Sequence, residues 1–140
     1  MVNKPLLHPQ EIEVFYIIPA LRRSLARYMK QQGMKQKDIA ALLGVNTAAI
    51  SQYTSNKRGH KVEFDEAILQ EIQKSAQLIE DKISYFRETQ RLLRYLRQTN
   101  VLCQIHKQFT GIPAGCEPQI IGCHHRLPEQ TSPLTIRGCA

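Results

Sequence analysis

All four cysteines of this 140-residue sequence lie beyond residue 100: Cys103, Cys116, Cys123 and Cys139, with His106, His124 and His125 among them. Thiolate and imidazole are the side chains that hold zinc, and thiolates hold iron-sulfur clusters. Cys103 and His106 stand three apart in a stretch of helical pattern, so they share a face. Cys116, Cys123 and His124 fall in the Gly- and Pro-bearing run GCEPQIIGCHH, which can wrap an ion. The candidate ligand set is therefore Cys103, Cys116, Cys123, His106 and His124, for zinc or an iron-sulfur cluster. Its spacing departs from a compact knuckle, because a Cys-x-x-Cys pair begun at Cys116 needs its second thiolate where Gln119 stands. Three outcomes follow from the residues alone: a metal or cluster, a redox-responsive pair, or free thiols with Cys103 on a packed helix face. Cys139, next to last, is expected to fray.

A second group of residues has a different chemistry. In NTAAISQY, from Asn46 to Tyr53, the polar or small residues Thr47, Ala48, Ser51 and Gln52 recur on one helical face opposite Ile50 and Tyr53. Gln can pair bidentately with adenine, and Ala or the Thr methyl can touch a thymine methyl, so these four suit the reading of base edges. Thr47 has a plainer alternative as part of the helix cap. Lys35, Gln36, Ser55, Lys57 and Arg58 flank this face and suit phosphate contacts, which set position rather than sequence. Arg58 has an alternative partner in Asp38.

The charge pattern agrees with a polyanionic partner. The formal charge is +7, and residues 1–63 carry 10 Lys or Arg against 4 Asp or Glu, whereas residues 64–100 carry 6 against 6 and residues 101–140 carry 3 against 2. A basic first half attracts nucleic acid electrostatically. The absence of Trp, with only 5 Tyr and 4 Phe, disfavours extended stacking platforms. No nucleophile turn, phosphate-cradling glycine loop or paired-carboxylate constellation accompanies the histidines and cysteines, so an enzyme is not expected. The sequence has no 18-residue apolar run and no signal-peptide pattern at its start, so a cytoplasmic protein without membrane contact is expected, with its cysteines reduced or metal-bound.

These side chains need elements to hold them. Ile17, Leu21, Leu25, Tyr28 and Met29 form an apolar stripe at helical spacing between Ile12 and Gln32. Pro19 should start the main helix near its first turn, and Gly33 should stop it. Two shorter helices follow, Gln36 to Leu43 and Asn46 to Ser55, joined by Gly44 and Val45, with Asn46 as a cap. Ile39, Leu43, Ile50 and Tyr53 share one small core, Ala40 lets the helices cross closely, and Gly44 makes the turn. This is the spacing of a helix-turn-helix.

The run IPALRRSLARYMKQQGMKQKDIAALLGVNTAAISQYTSNKRG, residues 18–59, resembles the helix-turn-helix of the phage-repressor (Xre) superfamily. It is similar in particular to small predicted transcriptional regulators that carry a cysteine-bearing tail after such a domain. The resemblance implies sequence-specific binding of double-stranded DNA, with the second helix of the pair in the major groove.

Beyond the loop NKRGHKVE the helical pattern runs from about Phe64 to Thr99, with a break near Asp81 to Ser84, and resumes through Leu102 and Ile105 towards Phe109. Its stripe of Ile68, Ile72, Ala76, Ile79, Ile83, Phe86 and Leu93 is expected to join a second copy, with charges such as Glu80, Lys82, Arg87, Glu88, Arg91 and Arg94 on the flanks. The alternative is that the stripe packs back on the first domain. Residues after Gly111 have no sustained period. The expectation is an all-α chain: a helix-turn-helix domain over residues 1–62, a helical dimerisation region over 63–110, and an irregular Cys/His-containing tail over 111–140. Its expected role is a homodimeric regulator, controlled through the cysteines by metal, cluster or redox state. The alternative role is an antitoxin-like or adaptor protein that grips a protein partner with its C-terminal region.

Overall fold

The structure, a computed structural model, describes residues 4–117 and 121–123. Among these residues the chain is helical, without strands. Helix α1, Pro9–Ile12, starts on His8, whose backbone N–H donates to the Glu11 carboxylate at 3.0 Å. It passes through a π-helical turn, Glu13–Ile17, into α2, Ile18–Gln31. Ile18 N–H reaches back to the Glu13 carbonyl, and this wider turn lies directly before Pro19, which has no N–H to offer the preceding turn. The proline thus marks a change of pitch in a continuous helix.

Helices α3, Gln36–Leu43, and α4, Thr47–Thr54, follow as the sequence predicts, separated by Gly44 in the left-handed conformation at φ 66°. Ile39, Leu43, Ile50 and Tyr53 are buried with Leu21, Leu25 and Met29 of α2, and Ala40 is buried where the helices cross.

Asp65 caps α5, Glu66–Leu78, and Asp81 caps α6, Lys82–Gln98, through a capping box with Ser84. The expected break therefore falls at Ile79 to Asp81. Helix α7, Val101–Phe109, packs on α1 and α6.

The stripe expected to face a second copy is instead mostly internal. Ile68, Ile72, Ala76, Ile79 and Leu93 are buried in the same core as α2, and α5 lies directly on α2. The break at Asp81 folds the region into a hairpin, which turns the apolar stripe of α5 towards its own domain. Fully burying an aliphatic side chain is worth about 1.5–3 kcal/mol, so intramolecular packing is favoured where the chain can reach. Only Ile83 and Phe86 of that stripe stay exposed, at 70% and 61%, near exposed Leu78 at 57%. Of the flanking charges, Glu88 and Arg91 are also internal: Arg91 donates to Glu71 at 2.9 Å, to Ser75 at 2.6 Å and to Glu88 at 3.1 Å, joining α5 to α6.

The buried residues form one cluster from Ile12 to Ile105. The boundary expected at residue 62 therefore divides segments of sequence that share a core. The chain start is fastened to α7: Leu7 carbonyl accepts from His106 Nε2 at 2.6 Å, and Tyr16 stacks on Phe109 at 4.3 Å between ring centroids.

Candidate nucleic-acid interface and cysteine cluster

Helix α4 is capped by Asn46, whose side-chain oxygen accepts the Ala49 N–H at 2.8 Å. The cap therefore belongs to Asn46, and Thr47 is left exposed. Ala49, Ile50 and Tyr53 turn inward, so the opposite face carries Thr47, Ala48 and Ser51, all exposed, and half-buried Gln52. The four expected base-reading residues lie together on this outward face. The Ser51 hydroxyl donates to Gln36 Oε1 at 3.4 Å, which brings the start of α3 to the edge of the same face. Lys35 is exposed one residue earlier.

The exit loop is held in place by buried polar contacts. Asn56 adopts φ 60°, a left-handed conformation that Asn tolerates, and its side-chain oxygen accepts both Nε and Nη2 of Arg23 at 3.0 and 2.6 Å. Arg23 is only 8% exposed, so Asn56 satisfies a buried cation. Gly59 sits at φ 73° against α2, where a Cβ would stand 2.4 Å from the Pro19 carbonyl oxygen. Between these anchors the backbone N–H groups of Lys57 and Arg58 both donate to the Gln52 carbonyl, at 2.9 and 3.2 Å. Exposed Lys57, Arg58 and Ser55 are thereby fixed beside α4, although the Ser55 hydroxyl is turned to the Gln52 carbonyl at 3.5 Å. Arg58 lies over the Tyr53 ring, 5.7 Å from its centroid, and among the described residues forms no ion pair with Asp38. The alternative role in the sequence reading is thus replaced by a contact with the domain's own aromatic residue.

Sequence reasoning missed Arg23 and Asn56 as the pair that positions these cations. Arg23 reads as one more surface charge of a basic helix, and its burial depends on the exit loop folding over it.

The cysteines come together more than their spacing suggests. Cys103 of α7, Cys116 and Cys123 all line one small cavity of about 10 Å³, with His106, Lys107 and Glu117. Burial pushes the Cys123 thiol up, and the nearby Cys103 and Cys116 add to the effect. All three thiols are partly buried and free of disulfide bonds. His106 is buried, with Nε2–H given to the Leu7 carbonyl, which leaves Nδ1 in the acceptor form. Among the described residues, no three His, Cys, Asp or Glu side chains are drawn closely enough together to hold a metal ion. His124, His125, Gln119 and Cys139 lie outside the described residues. Among those described, no helix is long and apolar enough to cross a membrane.

Residues 25–63, from the middle of α2 through α3, α4 and the exit loop, match the family model for the helix-turn-helix. No curated protein and no solved structure matches the chain. The chain is therefore an all-helical protein built around a helix-turn-helix domain of the DNA-binding, regulatory kind.

Proposed function

We propose that the chain is a sequence-specific transcriptional regulator that binds double-stranded DNA as a homodimer. The observation that carries this reading is the outward face of α4. Thr47, Ala48, Ser51 and Gln52 are left out of the core, while Lys57 and Arg58 are fixed at its end. With α4 in the major groove, Gln52 reads a base edge and Lys57 holds a phosphate.

The test uses duplexes selected from a random pool by the full chain. Gln52→Ala should remove about 1–3 kcal/mol of discrimination at one base pair. Lys57→Ala should weaken binding to every duplex and flatten the logarithmic salt dependence by about 0.9. Equal loss on all duplexes from Gln52→Ala defeats the reading of α4 as the sequence reader.

The homodimer rests on two considerations. A single helix-turn-helix covers few base pairs, and dimers of such domains span half-sites about 34 Å apart. Ile83 and Phe86, three apart on α6, present an exposed apolar face with no cover from the chain itself.

A second element of the proposal is control through the cysteines. The convergence of three thiols from separate parts of the chain favours a soft metal ion, zinc above all, over unrelated free thiols. His106 adds support, since a histidine whose Nε2–H is fixed by a backbone carbonyl offers Nδ1 as a ligand. Coordination would require these groups to draw closer, so metal would order the segment that carries Cys116 and Cys123. Anaerobic purification, elemental analysis and operator binding before and after chelation test this. A metal-free chain whose DNA affinity is indifferent to added zinc overturns it.

A further inference from the structure

Beside the exit loop lies an open cleft of about 360 Å³, and Arg22, Lys57, Arg58, His60 and Lys61 all line it. No acidic side chain is among its lining residues. Its apolar wall comes from Phe15, Tyr16 and Pro19, at the π-helical turn and the start of α2. The basic groups come from two places in the sequence, α2 and the exit loop, brought together because Gly59 seats the loop on Pro19. Lys61 is further placed over the Tyr16 ring, 5.8 Å from its centroid.

The cleft is continuous with the face of α4. Arg58 lines both this cleft and the neighbouring depression that contains Ala48 and Gln52. A duplex seated on Gln52 would thus meet the cleft with its sugar-phosphate backbone, and a concave site walled by cations of one sign concentrates phosphate.

We infer that this cleft is a second phosphate-binding site, which grips the DNA backbone beside the groove read by α4 and adds His60, Lys61 and Arg22 to the interface. This rests on the reading of α4 as the DNA reader. Phosphate contacts contribute affinity and salt dependence without sequence preference, so the cleft should strengthen binding to all duplexes alike.

The experiment measures affinity of the full chain for a selected duplex from 50 to 300 mM salt, using Lys61→Ala and, as a control of equal charge, Lys74→Ala. Lys61 is exposed, and Lys74 is exposed on α5 beside Glu71, so neither change opens the core. Lys61→Ala should flatten the slope of log K against log salt by about 0.9, which makes the affinity lost between 50 and 200 mM smaller by roughly 3.5-fold. Base preference should stay as in the unaltered chain, and Lys74→Ala should leave the slope unchanged. An unaltered slope in Lys61→Ala overturns the inference while leaving the α4 reading intact. So does an equal change in both variants, which would report net charge alone. Titration with inorganic phosphate in the absence of DNA separates a small-anion pocket: binding that Lys61→Ala abolishes, with the DNA slope unchanged, also overturns it. If the unaltered chain binds no duplex at low salt, the reading of α4 falls and this inference falls with it.

Discussion

Replacing Asn56 separates two contributions to the geometry of the exit loop. Asn56 supplies the only short acceptor contact found for the buried Arg23 guanidinium among the described residues, the Glu63 carboxylate standing off at 3.8 Å and 80% exposed. Asn56→Gly keeps the left-handed backbone accessible and removes that acceptor. Loss of a hydrogen bond to a charged group costs about 1.5–3 kcal/mol, so the urea midpoint should fall by that amount divided by the m-value. Asn56→Ala loses the same acceptor and adds the left-handed penalty of about 1–2 kcal/mol, so it should be the less stable variant. Asn56→Asp keeps an acceptor of the same shape and offers a charge to Arg23, so it should remain near the unaltered stability. DNA affinity should fall for all duplexes in the Gly and Ala variants, because Lys57 and Arg58 follow Asn56 directly. If Asn56→Gly changes stability by less than about 0.5 kcal/mol, a surface-like value, the account of Arg23 as a buried cation held by Asn56 is refuted.

Asn46→Ala should cost about 1 kcal/mol by uncapping α4, measured by the same denaturation, and no change would place the cap elsewhere. Gly33→Ala and Gly59→Ala form a matched pair. Both sites have positive φ, but a Cβ meets nothing within 4 Å at Gly33 and the Pro19 carbonyl at Gly59, so the Gly59 variant should be clearly the less stable and equal losses would refute the close approach. Phe86→Ser should shift a dimer towards monomer in sedimentation runs without loss of helical content, and an unchanged dimer would place the interface away from α6. The donors Lys74 and Arg91 hold the Glu71 carboxyl below the usual Glu range. Its stabilising contribution is complete above the unfolded pKa near 4.5 and is lost as pH falls through the lower folded value. The stability difference between Glu71→Gln and the unaltered chain should therefore shrink below about pH 4, and a constant difference from pH 7 to pH 3 would contradict the contact.

The helix-turn-helix was legible because its determinants are local. Gly44, Asn46 and the alternation of Ile50 and Tyr53 with Thr47 and Ser51 each act within one or two helical turns. The fate of Ile68 and Ile72 was harder to read, since an apolar stripe is the same whether it meets a second copy or its own α2. The Asp81 cap decides between them by folding α5 against α6, and its consequence for direction is tertiary. The convergence of Cys103, Cys116 and Cys123 was likewise hidden, because a loop of irregular length has no periodicity from which to infer where it returns. Arg23 shows the same limit for a charge: only the folded exit loop distinguishes a buried cation from a solvated one.

The fastening of the chain start to α7 bears on how the protein can be dissected. Ile12 and Ile17 share a core with Leu102 and Ile105, and Leu7 and Tyr16 are held by His106 and Phe109. A fragment ending after the helix-turn-helix would leave those residues without cover, so the minimal autonomous unit extends through α7. Unfolding of α7 is thereby coupled to the helix on which the DNA-reading pair is built, and any free energy supplied beside Cys103 is communicated to the operator through a shared cooperative transition.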